Sequence, residues 1–428
     1  TNIIKPQMTI KSLFSTLILV LMGTLTLAPE ATSQDWPQWR GPARDGNATS
    51  FSEPAGWPEQ LTKQWTVSVG QGYATPILIG DLDYTYTRQG QEEVVMALDA
   101  KSGDILCRTA YPAKFNMNRS TANHGPGPKS TPVFHSGRLF TLGISGIVTA
   151  FDAQTCNQLW QKPALPTEPL YHTAMSPVVE DDIVIFHVGG HDDGALTAFD
   201  VTTGDVRWSW DGDGPAYGSP IVFNLEGTRQ VVTFTQENLV GVSVATGELL
   251  WSRPFTTQST TTSQTPILHK DLVIQAGRGN GITAFRVVKR GGDWDTENVW
   301  HNDEVSLHMT NGVVVDGILV GLSHLNRGQY FALELDTGRV LWTGAARQAE
   351  NASIVKAGSQ IISLQNDAEL IILDNIRTGF EPVQSYQVAS SETWSQPVIS
   401  GERLFVKDFT TLTLRLSLIH ICRCRRAN

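Results

Sequence analysis

The chain repeats itself, and nothing else in it constrains the fold as tightly. Aligned on one position, the copies read ALDAKSGDILC (Asp99), AFDAQTCNQLW (Asp152), AFDVTTGDVRW (Asp200), GVSVATGELLW (Ser243), AFRVVKRGGDW (Arg286), ALELDTGRVLW (Glu334) and ILDNIRTGFEP (Asp374). They stand 53, 48, 43, 43, 48 and 40 residues apart. A period in the forties with strand-like segments marks a radial array of small β-sheets. Helical solenoids of similar period would carry a 3.6-residue apolar pattern, which these segments lack.

A second motif runs in phase with the first. The residue before a Pro, or its equivalent, recurs at Thr75, Thr131, Ser176, Ser219, Thr265, Asn311, Ala352 and Gln396. Each is followed by a short apolar run, a turn and another apolar run, so each unit reads as four short antiparallel strands. The expected fold is all-β: an eight-bladed β-propeller of four-stranded antiparallel blades. After Gln396 only three strands remain, and LTKQWTV around Trp65 supplies the missing outer one. Closure of the last blade by this early strand covers sheet edges that would otherwise lie open.

Each repeat residue has a structural task. Asp99, Asp152 and Asp200 are placed to accept hydrogen bonds from turn N–H groups. Gly103, Gly204, Gly247 and Gly338 supply the positive φ that the turn needs. Trp160, Trp208, Trp251 and Trp342 fill the wedges between blades. Cys156 stands at the Gly position and Cys107 at the Trp position of adjacent blades. A bridge between them is open, but two unpaired small apolar side chains are favoured.

The ends are set apart from the fold. Lys11 precedes an apolar run from Leu13 to Leu27, and Ala31 and Ser33 sit before Gln34 as at a cleavage site, so residues 1–33 are expected to be upstream residues and a signal peptide. Residues 416–428 read as the translation of a sequencing adapter, and 34–62 as an N-terminal arm before the propeller at 63–415. With both ends set aside, the net charge of −10 for the whole chain becomes about −14. An acidic protein repels phosphate backbones and anionic lipid, so neither nucleic acid nor a membrane surface is expected as partner. No membrane anchor is expected after signal cleavage, and no lipid-anchor Cys lies near the cleavage point. The protein is expected to be a periplasmic or secreted monomer.

The A-x-D-x-x-T-G-x-x-x-W unit resembles the pyrrolo-quinoline quinone (PQQ) repeat of the eight-bladed propellers of quinoprotein dehydrogenases and of BamB-like assembly factors. WTVSVGQG after the closing strand is similar to the start of the latter, and DWPQWRGPARDG at 35–46 to the leader of secreted PQQ-like propellers. The resemblance spans about 34–415. It implies either a non-catalytic binding or scaffold protein without a cofactor, or a PQQ- and Ca²⁺-dependent dehydrogenase of alcohols or sugars. The dehydrogenase reading would recruit Trp394 and Asp303, but the chain lacks the adjacent Cys pair and the C-x-x-C-H haem motif of those enzymes. One fold hosts unrelated activities, so function rests on the site.

In such propellers the residues before each innermost strand face one mouth of the central channel. That rule nominates Tyr73, Lys129, Tyr217, Glu350 and Trp394, with Arg119, His124, His172, Gln264 and His308 nearby. Together they would form a funnel for an envelope protein, a peptide or a small ligand. No metal site is expected. The DGDG and GGHDDG stretches at 211–214 and 189–194 read as turns.

Overall fold

The computed structural model describes residues 35–416 apart from 259, 260 and 375, together with residues 1 and 2. The expected signal segment and nearly all of the expected adapter segment lie outside these residues; Leu416 ends the last strand. Among the described residues the strands form eight sheets. The blades run, inner strand to outer, over 77–112, 133–162, 178–210, 221–254, 267–302, 313–343 and 352–387. The eighth pairs Val398–Ser400, Arg403–Lys407 and Thr411–Leu416 with Thr62–Ser68, as the sequence predicts. Among the described residues no helix is long and apolar enough to cross a membrane.

Burial explains the strand sequences. Middle strands are covered on both faces, so Ile183–Val188 (IVIFHV) is buried throughout. Outer strands face solvent on one side, and in Val206–Trp210 the residues Val206, Arg207 and Ser209 are exposed while Trp208 turns inward. A bulge aims that tryptophan: Phe199 pairs Val206 while Ala198 pairs Trp208, leaving Arg207 as the extra residue. The same bulge recurs at Leu98/Ile105 and at Leu333/Val340. It tips the outer strand so that its aromatic reaches the next blade.

There the ring meets the Thr-Gly turn. Asp200 accepts the N–H groups of Thr202 and Thr203 at 2.8 and 2.9 Å. Gly204 takes φ 73°, and the Trp160 ring lies so close that a Cβ on Gly204 would sit 2.7 Å from it. The Trp160 indole N–H donates to Val201 O at 3.3 Å. Trp208 treats Val244 O and Gly247 in the same way, and Trp300 treats Leu335 O and Gly338. Trp65 reaches Ala100 O and Gly103, so the contact that joins neighbours also closes the ring.

Two expectations are corrected here. Cys107 and Cys156 form a disulfide, with Cα atoms 5.8 Å apart. Because one cysteine holds the Trp position and the other the Gly position of the next turn, the wedge contact itself brings them together. Second, Trp294 is not the repeat tryptophan of the fifth blade. Its hairpin is long, Ile282–Arg290 against Asp293–Asn302, so Trp300 faces Ala284 instead and Trp294 stacks under Lys289. That long hairpin replaces the Thr-Gly turn, so Trp251 packs on Phe285 and its indole donates to Gln230 Oε1 at 2.7 Å.

The 35–46 leader is part of the propeller. Trp36 is fully buried and bridges Leu78, and Pro37 O accepts from Phe134 N. Arg40 donates to Gly312 O at 2.7 Å and Asn311 O at 3.3 Å, while Arg44 donates to Pro177 O at 2.8 Å and Ser176 O at 3.2 Å. These guanidinium groups reach opposite sides of the ring and are joined through Arg40 Nε and Arg44 O. The leader therefore crosses the channel and closes it. Asn47–Ala48 then adds a parallel strand inside the seventh blade.

Two outcomes test this account. Gly204→Ala should cost about 2–3 kcal/mol in chemical denaturation, because it meets both a positive φ and the Trp160 ring. Non-reducing peptide mapping should recover Cys107 and Cys156 linked. Replacing both by Ala, which opens a cross-link spanning 49 residues, should cost about 2–4 kcal/mol.

Candidate functional site

Each inner strand runs away from one face of the ring and the second strand returns to it. The segments before the inner strands therefore share that face with the loops between second and third strands. At its centre the plugged channel leaves a funnel of about 400 Å³.

The throat is girdled by the second sequence motif. Gln396 N donates to Thr75 Oγ1 at 3.1 Å, Thr75 N to Thr131 Oγ1 at 3.2 Å, and Thr131 N to Ser176 Oγ at 2.9 Å. Ser176 N continues to Ser219 Oγ at 2.9 Å, and Thr265 N to Asn311 Oδ1 at 2.8 Å. This chain of bonds gives the residue before each Pro its role, since a short oxygen-bearing side chain accepts the previous blade's amide. It leaves the Ser176 and Ser219 hydroxyl protons and the Asn311 amide nitrogen to face the cavity.

Of the ten nominated residues, Tyr73, His124, Lys129, Tyr217, His308 and Trp394 line this one funnel. On one wall the His124 ring stands edge-on to Trp394 at 4.5 Å and to Tyr73 at 6.4 Å. On another, Tyr171 and Tyr217 lie 5.8 Å apart, and the Tyr217 hydroxyl accepts Tyr171 N–H at 2.9 Å and meets His191 Nε2 at 3.1 Å. The other four lie elsewhere. Arg119 is exposed at the start of the 3-10 turn Arg119–His124 and Glu350 is exposed outside the lining. His172 is buried against Phe115, 3.1 Å from Glu168. Gln264 is buried and donates to His308 O and Thr310 O at 2.6 and 2.8 Å. Asp303 is likewise exposed and outside the lining.

Trp39 and Arg278 are among the lining residues outside those nominations. Trp39 of the leader forms part of the floor, its indole donating to Thr265 Oγ1 at 3.1 Å. Arg278, in the AGRGNG loop between the second and third strands of the fifth blade, adds a cation. Strand parity carries the signal for Arg278, since every such loop returns to the mouth face. The crossing of the leader has no local signal.

The funnel contains cations and no carboxylate among its lining residues. Lys129 donates to Tyr171 O at 3.1 Å, and burial pushes its ammonium down to about 8. Burial, Arg278 and His324 push His308 down to about 4, so its ring is neutral at pH 7. Burial first and then Lys129 lower His124. Burial raises the Tyr73 and Tyr217 phenols, which remain hydroxyl donors.

A family model described as outer membrane protein assembly factor BamB matches residues 91–344, more than half of the chain. The chain belongs to that family of PQQ-repeat propellers. BamB of Yersinia pestis is 24% identical over 324 residues, covering 72% of this chain and just under two thirds, 66%, of that protein. The structure of BamB from Moraxella catarrhalis superposes with a TM-score of 0.59 at 15% identity, over 83% of this chain and 99% of that one. Quinohemoprotein alcohol dehydrogenase from Comamonas testosteroni gives a TM-score of 0.63 at 14% identity, over 90% of this chain and 80% of that one. At such identities the structural likeness concerns the fold, which both a scaffold and an enzyme share.

The Lys129 ammonium predicts a stability signature. Its folded pKa lies below the free value of about 10.4, so the unfolded state binds more protons between pH 8 and 10.5. Wild-type stability therefore gains across that window relative to Lys129→Met. The variant should be more stable at pH 7 by about 1–3 kcal/mol, with the difference vanishing near pH 10.5 in denaturant titrations.

Proposed function

We propose that this protein is an exported, non-catalytic binding propeller that takes a ligand or partner segment into the funnel. The observation that carries this reading is the plugged channel. It leaves a cavity at this mouth, where aromatic faces, hydrogen-bond donors and two cations converge. Kinship to BamB, whose name describes outer membrane assembly, supports a place in the cell envelope.

The dehydrogenase reading requires residues that hold PQQ and Ca²⁺. Trp39 and Trp394 offer faces for a flat ring, but Ca²⁺ needs six to eight oxygen ligands with carboxylates among them. The funnel lining supplies no Asp or Glu, and among the described residues no group of three or more His, Cys, Asp or Glu side chains is placed to hold a metal. Asp303, the base that reading would recruit, lies outside. The residues do not fit the pair of cofactors.

Turnover is the deciding measurement. Purified protein given PQQ, Ca²⁺, an electron-accepting dye and alcohols or sugars should reduce no dye; reduction above a protein-free control would overturn the proposal. Cross-linking in envelope extract should capture a partner or ligand whose yield falls at least tenfold in Trp394→Ala.

A further inference from the structure

We infer that the funnel recognises a sugar acid: a pyranose ring carrying a carboxylate, as in a uronate unit of an acidic glycan. This rests on the binding role proposed above and specifies its ligand.

The charge comes first. On a chain of net charge −10, the funnel gathers Lys129 and Arg278 with no carboxylate in its lining. The Lys129 ammonium donates to the neutral Tyr171 carbonyl. A buried ammonium without an anion is costly, and a ligand carboxylate would supply the missing charge at that point. Glu392, the nearest acid on the Trp394 segment, is already bonded to the Trp394 indole at 3.0 Å.

The donor count points the same way. Around the throat, the Ser176 and Ser219 oxygens and Asn311 Oδ1 each accept one girdle amide, which leaves their own hydroxyl and amide hydrogens to donate. These lining side chains therefore offer the cavity hydrogen-bond donors, suited to a ligand rich in oxygen. A hydroxyl-bearing ligand also needs an acceptor. The His308 ring lies on this wall and is neutral at pH 7, so it carries one acceptor nitrogen.

The aromatic geometry separates a sugar from a flat anion. His124 crosses Trp394 at 73° and Tyr73 at 82°, and Tyr171 is tilted 41° from Tyr217. Such walls present single ring faces rather than a parallel slot. A single face suits the C–H surface of a pyranose, whereas a planar heteroaromatic is best held between two parallel rings.

The test is binding to the full chain, read by tryptophan fluorescence, which Trp39 and Trp394 should report, and by calorimetry. The probes are digalacturonate, a neutral disaccharide of the same ring size, and benzoate. Digalacturonate should bind at least tenfold more tightly than either of the others. Lys129→Met and Arg278→Ala should each cost at least tenfold for the acid and leave the neutral sugar unchanged, while Glu350→Gln, outside the funnel, should change neither. Circular dichroism confirms that each variant is folded. Equal affinity for the acid and neutral sugars, tighter binding of benzoate, or acid binding indifferent to Lys129 and Arg278 would overturn the inference. Loss of the sugar result with envelope capture still dependent on Trp394 would leave the binding role standing. Cleavage or oxidation of bound digalacturonate would instead remove the non-catalytic reading and keep the site.

Discussion

The propeller depends on one contact: an indole laid on the backbone of the next blade's turn. Trp160 on Gly204, with its N–H on Val201 O, combines a large apolar burial with satisfaction of the indole's only donor. The bulge supplies the aim, the glycine the clearance and the aspartate a turn that holds its shape. Trp65 makes the same contact between the eighth blade and the first, so ring closure needs no separate device. Where cysteines replace both members, the noncovalent wedge becomes the Cys107–Cys156 cross-link.

The eight blades surround a channel whose inner strands carry backbone edges. The leader covers that space with Arg40 and Arg44, whose guanidinium groups donate to carbonyls on opposite sides of the ring. No carboxylate neutralises Arg44, and burial lowers its pKa to about 9, leaving it charged at neutral pH. Carbonyl dipoles thus take the place of water around two buried cations. The same crossing sets Trp39 as floor for the funnel, so the plug and the site are one construction.

The throat girdle connects stability to the site. Its Ser, Thr and Asn oxygens accept the amides of neighbouring blades and leave donors toward the cavity. Lys129, largely withdrawn from water and bonded to a neutral carbonyl, is poorly placed for stability alone. Such unfavourable electrostatics concentrate where ligands bind.

Sequence by itself determined the blade number, the closing strand and most of the wedge residues, because each follows from short-range periodicity and turn chemistry. It also brought Tyr73, His124, Lys129, Tyr217, His308 and Trp394 to one mouth, since strand parity sends every segment before an inner strand to the same face. Strand parity equally governs Arg278, yet its glycine-rich loop reads locally as a turn. Gln264 and His172 carry polar side chains of the right kind in the right segments, but packing turned them toward His308 O and Phe115. The disulfide, the shift from Trp294 to Trp300 and the crossing of the leader were decided only by tertiary structure. The disulfide and the crossing depend on distances between blades or across the channel, and the shift on the length of one hairpin; no local periodicity encodes these.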